Sequence, residues 1–309
     1  MYNHVFFEIS GVCNAKCKYC INGGKNSISG PYHRRGGGQI DVQEFDKAIT
    51  YMYDSQIIGN SSLIWLYNWG EPFLHPKLKE IISVLKNKNL FFGLSTNASN
   101  PVYFNDSKCL SHLADIIFSM SGFSQQSYDR IHGFDFERIK SNIENMVMNY
   151  RENGFKGSVR IAYHIYQFNI LEMSMAKDFA QKLNVAINFS AAYFNGYTMF
   201  RDYLMNNMGY ANLKMACSEL ITYYINDILL KRPKDYVCPQ WGGLTLDEYC
   251  NVLTCCCVDR LSENYSIGKL FELSPDDIKE KKLQQHICLE CRQLGIDFLA
   301  NNPLVWTIK

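Results

Sequence analysis

The sequence lacks the features that direct a chain into or across a membrane. No apolar run reaches the roughly 18 residues that a membrane-spanning helix needs, and no apolar core followed by small residues marks the N-terminus as a secretory signal. A strong charge of either sign is also absent, because 31 Lys and Arg residues against 30 Asp and Glu residues leave a formal net charge of +1. The sequence therefore predicts a cytoplasmic protein with no membrane span and no electrostatic basis for binding nucleic acid.

Cysteine, by contrast, is abundant. The chain has 309 residues, of which twelve are cysteine, and several of these stand in Cys-x2-Cys spacing. In a chain without an export signal, such clusters indicate metal ligands in a reducing compartment rather than disulfides. The length predicts about two domains, and a hydrophobic content of 47% is enough for an ordinary globular core.

The first two thirds of the chain alternate short β-rich runs with helical stretches, which is the pattern of βα units on a parallel sheet. The predicted strands are Val5–Ser10, Leu63–Asn68, Phe91–Thr96, Asp115–Ser119, Ser158–Ile165 and Ala186–Ser190. The predicted helices begin near Asp41 and Pro76 and cover Phe136–Asn153 and Ile170–Leu183. Six units are too few for a closed eight-stranded barrel, so we expect an α/β fold with an open, partial (βα)6 TIM-like barrel. In such folds the reactive site lies at the C-terminal ends of the strands.

Beyond about residue 195 the alternation stops. Phe200–Lys231 predicts one or two helices, and a cysteine-rich segment follows with a hairpin, Leu244–Leu246 against Val252–Thr254, and a helix near Pro275–Gln285. We therefore predict three parts: a barrel over 1–195, a helical connection over 196–235 and a small cysteine-rich domain over 236–309.

The strongest chemical signal is the loop that carries Cys13, Cys17 and Cys20 directly after the first predicted strand. Its Cys-x3-Cys-x2-Cys spacing places three thiolates close together. A [4Fe–4S] cluster is normally held by four thiolates, so three from one loop would leave one iron open to a substrate or cofactor. That open iron indicates an enzyme rather than an electron carrier. Structural zinc is the alternative, although zinc sites usually take four ligands in paired spacing.

This loop resembles that of the radical S-adenosylmethionine (SAM) superfamily. By the resemblance, Cys13, Cys17 and Cys20 hold a catalytic [4Fe–4S] cluster, and SAM binds the open iron through its amino and carboxylate groups. Reductive cleavage of SAM would then release a 5′-deoxyadenosyl radical that takes a hydrogen atom from the substrate. A barrel interior would shield such a radical.

Segments at the ends of later strands resemble the SAM-binding motifs of the same family. Trp69-Gly70-Glu71-Pro72 is similar to Gly-Gly-Glu-Pro, Ser121 stands where Ser-x-Asp-Gly has its aspartate, and His132 lies where relatives often carry the arginine of Ile-Arg-Gly. As alternatives, Gly-Glu-Pro could be a plain turn and His132 a structural histidine. The resemblance, which spans about residues 1–190, implies SAM contacts from Tyr19, Gly70, Glu71, Pro72, Ser95, Asn97, Ser119, Ser121 and His132.

The later cysteines resemble a SPASM or Twitch auxiliary-cluster domain. The resemblance implies a second [4Fe–4S] cluster held by Cys238, Cys288, Cys291 and one member of the triplet Cys255–Cys257. Motif position favours Cys255, with Cys256 as the alternative. Adjacent strand residues face opposite sides, so the outer pair of the triplet could share a face. Four such ligands fit a single-cluster, Twitch-like form, and a four-cysteine zinc site has the same ligand count.

These features lead to three hypotheses. The first is an oxidoreductase in which the auxiliary cluster accepts an electron from the substrate. The resemblance to Twitch dehydrogenases, which oxidise a hydroxyl-bearing ring carbon, implies a sugar or cyclitol alcohol as a candidate substrate. The second is a maturase that crosslinks or epimerises a ribosomally made peptide; a leader-binding domain ahead of the barrel, common in such enzymes, is not expected because the chain begins on strand one. The third is a non-catalytic iron–sulfur or zinc protein. Either enzyme would need a flavodoxin- or ferredoxin-type reductant.

Overall fold

The computed structural model of the chain describes residues 1–23, 37–105, 107–258 and 265–302, and the backbone of a short strand at Val305–Trp306. The described residues form one ten-stranded sheet. Its strands are β1 His4–Phe7, β2 Leu63–Trp65, β3 Phe91–Thr96, β4 Leu113–Ser119, β5 Ser158–Ile165, β6 Ala186–Ala191, β7 Gly243–Leu246, β8 Asn251–Leu253, β9 Ser266–Lys269 and β10 Val305–Trp306.

Strands β1 to β6 are neighbours in chain order and all run parallel. The predicted α/β fold with a partial (βα)6 TIM-like barrel and a cysteine-rich C-terminal part is therefore confirmed. Both β3 and β5 have the predicted bounds. In β1 and β2 the last residue lies three positions earlier than predicted, at Phe7 and Trp65, because the chain leaves the sheet there to form the loops of the functional site.

The α-helices pack around this sheet. They are α1 Val42–Asp54, α2 Leu78–Asn87, α3 Ser107–Leu110, α4 Gln125–Ile131, α5 Phe136–Glu152, α6 Met173–Lys182, α7 Tyr197–Leu204, α8 Tyr210–Glu219, α9 Ile225–Leu229, α10 Pro275–Leu283, α11 His286–Gln293 and α12 Ile296–Asn301. Over 200–231 three helices form rather than one or two, because Asn206 adopts a left-handed backbone conformation and Gly209 begins a new helix. No helix among the described residues is long and apolar enough to cross a membrane.

Alternation along the strands decides what reaches the site. In β3, Phe92 and Leu94 are fully buried in the main core with side chains of α1, α2 and α5, whereas Ser95 is only half-buried on the opposite face. Successive side chains of a strand point to opposite sides of the sheet. The apolar set therefore packs against the helices, and the small and polar set is left to line the barrel interior.

The C-terminal segment continues the barrel sheet. Strand β7 pairs in parallel with β1, and β8 and β9 follow in antiparallel register, so the predicted hairpin is present and is attached to the first barrel strand. On the other edge, β10 pairs antiparallel with β6. The predicted division at residues 195 and 235 stays a prediction, although the cysteine-rich strands and the barrel strands share one hydrogen-bonded sheet.

Candidate functional site

The loop of Cys13, Cys17 and Cys20 lies at the C-terminal end of β1. A tight turn forms it, in which the N–H of Cys20 donates to the carbonyl of Cys17 at 3.2 Å and the N–H of Gly23 donates to the carbonyl of Cys20 at 3.0 Å. A Cβ atom on Gly23 would lie 1.7 Å from the carbonyl oxygen of Cys17, so only glycine fits there. The turn keeps the three cysteines within electrostatic reach of one another.

The three thiols act on one another electrostatically. Burial raises the pKa of Cys13 to about 12 and that of Cys17 well above its usual range, and negative charge on the neighbouring cysteines adds to both shifts. Neighbouring thiols cannot all ionise without a cation, and metal coordination deprotonates them outright. The donor set therefore fits an iron–sulfur cluster. Among the described residues, no three His, Cys, Asp or Glu side chains close around a single metal ion.

His132 stands against this loop. Its Nδ1 atom lies 3.4 Å from the Sγ atom of Cys17, and its Nε2 atom accepts from the N–H of Ser121 at 3.4 Å. Burial, with a further contribution from His164, lowers the pKa of His132 to about 4, so the ring is neutral at physiological pH. Because Nε2 is the acceptor, the ring proton is on Nδ1 and points at the sulfur of Cys17. His132 thus lies against Cys17, and its expected contact with a SAM carboxylate stays a prediction.

The Gly70-Glu71-Pro72 motif packs against the same loop. The N–H of Glu71 donates to the carbonyl of Val12 at 2.8 Å, and a Cβ on Gly70 would lie 1.7 Å from the carbonyl oxygen of Ser10. Pro72 is buried and begins a 3-10 helix at Pro72–Leu74. Backbone contacts therefore join the motif to the cysteine loop, and the side-chain amide of Asn22 adds a hydrogen bond to the carbonyl of Trp69 at 3.1 Å.

A buried carboxylate that the sequence argument missed fixes this motif. Glu8, only 1% exposed, accepts from the N–H of Trp69 at 2.9 Å and from the N–H of Gly70 at 2.6 Å. The available signal was an acidic residue at the end of an otherwise apolar strand. Burying it requires hydrogen-bond donors, which the glycine motif supplies.

The carboxylate of Glu71 is hydrogen-bonded to backbone groups of the protein itself. It accepts from the N–H of Asn97 at 2.7 Å and from that of Phe73 at 3.0 Å. Burial raises its pKa to about 7, although these N–H groups act in the opposite direction. The side-chain amide of Asn97 donates to Asn14 Oδ1 at 3.1 Å and lies 3.9 Å from Cys13 Sγ. Glu71 therefore fixes the end of β3 beside the first cysteine.

The remaining predicted contacts divide into two groups. Ser95 and Ser119 are half-buried at the ends of β3 and β4, on the face opposite the main core. Ser121 is buried, and its Oγ accepts from the N–H of His164 at 3.1 Å. Tyr19 is buried next to Cys20, and its hydroxyl donates to Glu219 at 2.9 Å. The first two residues are free to face a ligand, and the last two hold the site together.

Glu219 is a second residue that the sequence argument missed. Besides Tyr19, it accepts from Lys18 Nζ at 2.8 Å and from Arg130 Nη2 at 3.1 Å. The guanidinium of Arg130 also lies 3.6 Å over the ring of Phe168. Glu219 ends α8, so this cluster of charges docks that helix on the cysteine loop. Nothing in the local sequence around residue 219 indicates this contact.

The model of the Radical SAM superfamily matches residues 7–179, more than half of the chain, including the cysteine loop and the strand-end segments. This chain belongs to the radical SAM superfamily. Membership implies a [4Fe–4S] cluster and SAM; that Cys13, Cys17 and Cys20 hold the cluster stays a prediction. No curated protein is similar enough in sequence to match the chain.

Solved structures share the fold at low sequence identity. Streptococcus suis SuiB has a TM-score of 0.57 and 12% identity over 90% of this chain, which spans 66%, just under two thirds, of the SuiB chain. SuiB bound to the precursor peptide SuiA gives a TM-score of 0.55 at 13% identity, covering 90% of this chain and 65% of that one. The structure of anSMEcpe with bound AdoMet has a TM-score of 0.57 and 14% identity, covering 91% of this chain and 79% of that one.

In this radical SAM protein a second group of cysteines lines a cavity of its own. Its walls include five cysteines: Cys238, Cys255, Cys257, Cys288 and Cys291. Burial raises the pKa of Cys238 and of Cys288 to about 11, and charge on Cys255 raises both further. Helix α11, which the sequence did not predict, carries Cys288 and Cys291. Buried thiols that oppose each other's ionisation again fit a cationic cluster.

The other cysteines lie outside this cavity wall. Cys256, one of the two candidates in the triplet, donates from Sγ to Gln240 Oε1 at 3.2 Å. Its neighbours Cys255 and Cys257 are hydrogen-bonded to each other and both line the cavity. The triplet lies in a turn after β8, so the alternation expected from a strand does not apply to it. Cys109 is half-buried and Cys217 is exposed, away from both groups. Cys255 lines the cavity with the three other predicted ligands, and Cys256 does not; which of the two is the ligand stays a prediction.

Backbone contacts connect the two cysteine groups. The indole N–H of Trp69, next to the glycine motif, donates to the carbonyl of Val258 at 2.9 Å, and the N–H of Tyr197 donates to that of Cys257 at 2.8 Å. Cys20 forms a β-bridge with Asn195, two residues before Tyr197. The segment after the cysteine triplet is thus held against the catalytic loop.

Proposed function

We propose that this radical SAM protein is an oxidoreductase with an auxiliary [4Fe–4S] cluster of the Twitch type. The observation that carries the proposal is the second cysteine-lined cavity, joined to the catalytic loop through Trp69 and Val258. When bound, SAM and the first cluster would supply a 5′-deoxyadenosyl radical that takes a hydrogen atom from the substrate carbon. The second cluster would accept the electron that leaves as the hydroxyl proton passes to solvent and the carbonyl forms. Hydrogen abstraction alone would not need a second cluster.

The proposed roles follow from the contacts of each residue. Cys13, Cys17 and Cys20 are the proposed cluster ligands, because they stand in the spacing of the superfamily and negative charge on one raises the pKa of another. The backbone of Gly70 and the side chains of Ser95 and Ser119 are available to SAM. Glu71, Pro72, Asn97, Ser121, His132 and Tyr19 support the loop and strand ends around it. These residues position the cysteines and exclude water from behind them.

For the auxiliary cluster we propose Cys238, Cys255, Cys288 and Cys291 as ligands, with Cys257 as a fifth thiol in the same wall. Negative charge on each of Cys238, Cys255 and Cys288 raises the pKa of Cys291, which supports their close grouping. The parts 1–195, 196–235 and 236–309 would then be the barrel, the helical connection and the auxiliary-cluster domain.

The substrate we propose is a small hydroxyl-bearing molecule such as a sugar or cyclitol alcohol. Strand residues opposite the buried face are polar: His164 Nδ1 lies 3.1 Å from Ser190 Oγ, and Arg160 pairs with Asp115 at 2.5 Å. Within the described part of the chain, Asp115 Oδ1 and Arg160 Nε are buried without a hydrogen-bond partner. Unpaired buried polar atoms are costly, and substrate hydroxyl groups could satisfy them.

The test is anaerobic reconstitution followed by reduction with dithionite in the presence of a panel of sugar and cyclitol alcohols. We expect 5′-deoxyadenosine together with an oxidised product, such as a ketone, in equal amounts. The Cys17→Ala variant, which lacks one cluster ligand, should form neither. A product in an unchanged oxidation state would contradict the oxidoreductase proposal, and absence of SAM cleavage would favour a non-catalytic protein.

A peptide maturase is the second candidate. SuiB has been solved with its precursor peptide SuiA, and this chain shares the fold of that structure. Incubation with a precursor peptide encoded beside the gene, followed by mass spectrometry for a loss of two hydrogens or an inverted residue, separates this candidate from the first. In either case we propose a flavodoxin- or ferredoxin-type reductant and a cytoplasmic location.

A further inference from the structure

A lysine is buried against Gln240, one of the residues that line the cavity of the second cysteine group. Lys282, near the end of α10, is only 6% exposed, and its Nζ atom donates to the carbonyl of Gln240 at 2.9 Å and to that of Gly243 at 2.6 Å. No ion pair joins it to a carboxylate among the residues that the structure describes. Lysine is almost never buried unless it is paired.

The negative charge that Lys282 lacks is available from the cysteines. Gln240 lines the cysteine cavity and lies two residues after Cys238. Burial lowers the pKa of Lys282, whereas negative charge on Cys255, Cys288 and Cys238 would raise it again. A buried charge is tolerated when an opposite charge is near. Thiolates bound to a cluster would supply that charge permanently.

The carboxylate in this cavity wall, Asp297, is already compensated by an arginine. Asp297, which is buried and acts on Cys238, Cys288 and Cys291, forms an ion pair with Arg232 at 2.8 Å. Arg292 also lines the cavity, but its side chain is exposed, so water screens its charge. Lys282 therefore contributes a positive charge on the buried side of the cavity, where little water screens it.

We propose that Lys282 is the counter-charge of the auxiliary cluster and raises its reduction potential. This inference rests on the proposed function, because it assumes that the cavity holds a [4Fe–4S] cluster. Net charge around a cluster is one of the factors that set its potential. Reduction adds one negative charge, and a buried ammonium stabilises the reduced state. Lys282 is thus a positioning and tuning residue that makes the cluster a better acceptor for the substrate's electron.

The experiment compares reduction potentials of the auxiliary cluster alone. Full-length protein with Cys13, Cys17 and Cys20 replaced by alanine retains only that cluster and is titrated anaerobically, with the reduced cluster followed by EPR. In this background we expect Lys282→Met to make reduction of the cluster about tenfold less favourable. For one electron, this lowers the midpoint potential by about 59 mV. Lys282→Arg, which keeps the charge, should stay near the parent value.

Lys281 provides the matched control, because it is the exposed neighbour of Lys282 on the same helix. Lys281→Met should leave the midpoint unchanged. The inference is overturned if Lys282→Met leaves the midpoint in place, or if Lys282→Arg or Lys281→Met lowers it equally. Loss of the cluster in Lys282→Met and Lys282→Gln but not in Lys282→Arg supports a counter-charge, and loss in all three overturns it.

Failure of the proposed function has a different signature. If the protein without the three N-terminal cysteines holds no iron, or holds zinc instead, the proposal of an auxiliary iron–sulfur cluster is wrong. Iron and zinc analysis of that protein, before any change at Lys282, makes this distinction.

Discussion

The Nδ1 atom of His132 lies 3.4 Å from the Sγ atom of Cys17 and carries the ring proton, because Nε2 accepts from the backbone of Ser121. These two residues are 115 positions apart in the chain. The carbonyl of His132 also accepts from the N–H of Lys16 at 3.0 Å, so ring and backbone both hold the cysteine loop. A hydrogen bond to a cluster sulfur is a recognised influence on reduction potential.

The first prediction concerns this contact. Replacing His132 with Phe removes the N–H donor, and the catalytic cluster should still assemble because the three cysteines remain. A hydrogen bond to a charged group contributes about 1.5–3 kcal/mol, so we expect the reduction equilibrium to fall roughly tenfold or more and deoxyadenosine formation to slow. EPR-monitored titration measures this. His112→Phe, at a distant surface position bonded to Asn89, is the control; an unchanged potential in His132→Phe would contradict the prediction.

The second prediction is a pH dependence of stability. Burial raises the pKa of Glu71 from 4.5 to about 7, so the folded state holds a proton that the unfolded state loses. Stability should therefore decrease as pH rises from about 4.5 through about 7, by about 3 kcal/mol from this group. Glu71→Gln removes the titration, and the difference in free energy of unfolding between wild type and variant should change with pH in urea titrations. Parallel stability curves would show that Glu71 does not titrate in this range.

The third prediction concerns the link between the two sites. Trp69→Phe leaves the carbonyl of Val258 unpaired, which should cost about 1–3 kcal/mol of folding free energy. It should also loosen the segment after the cysteine triplet, so that less oxidised product forms per deoxyadenosine. Urea unfolding and the product ratio measure the two effects. In Trp65→Phe, which changes an indole that stacks on Phe6, the product ratio should stay at the wild-type value; an equal drop there would remove the case for a specific link.

The fourth prediction tests the docking of α8. Burial acts to raise the pKa of Glu219, but hydrogen bonds from Lys18, Tyr19 and Arg130 outweigh it and lower the pKa. The ionised form therefore stabilises the fold above the ordinary pKa of 4.5, and this contribution is lost as pH falls. Glu219→Gln should lower the unfolding temperature at pH 7 and increase loss of iron in air. Glu144→Gln, which breaks a surface pair with Lys182, should have little effect.

The fifth prediction separates the members of the cysteine triplet. Cys255→Ala should lower the iron content from about eight to about four atoms per chain, since each cluster holds four. Cys256→Ala, whose thiol is bonded to Gln240, should keep the full content. Iron analysis and EPR of the reduced proteins measure this. The opposite result would assign the ligand to Cys256.

Much of the barrel could be predicted because its signals are local. A strand such as β3 shows its apolar alternation within six residues, and its predicted bounds agree with the structure. The spacing of Cys13, Cys17 and Cys20 likewise lies within one turn of chain. The loop at the end of β1 and its family resemblance followed from those few residues.

The surroundings of these residues could not be predicted in the same way. Glu219 contacts Tyr19 across 200 positions, and Lys282 reaches Gly243 across 39 positions. Each pairing depends on how a helix docks on the sheet. The sequence contains many charged residues that could form such contacts, so it does not indicate which of them does. The same applies to β7, whose parallel pairing with β1 brings the second cysteine group to the first barrel strand.

The sequence by itself determined the parallel barrel and the loop with three cysteines, since periodicity and short spacing follow from the geometry of strands and turns. Only the tertiary structure decided that His132 contacts the thiol of Cys17, that Cys255 rather than Cys256 lines the second cavity, and that Lys282 is buried beside that cavity. These outcomes depend on which distant segments exclude water from one another, and that is a property of the packed chain rather than of any short stretch.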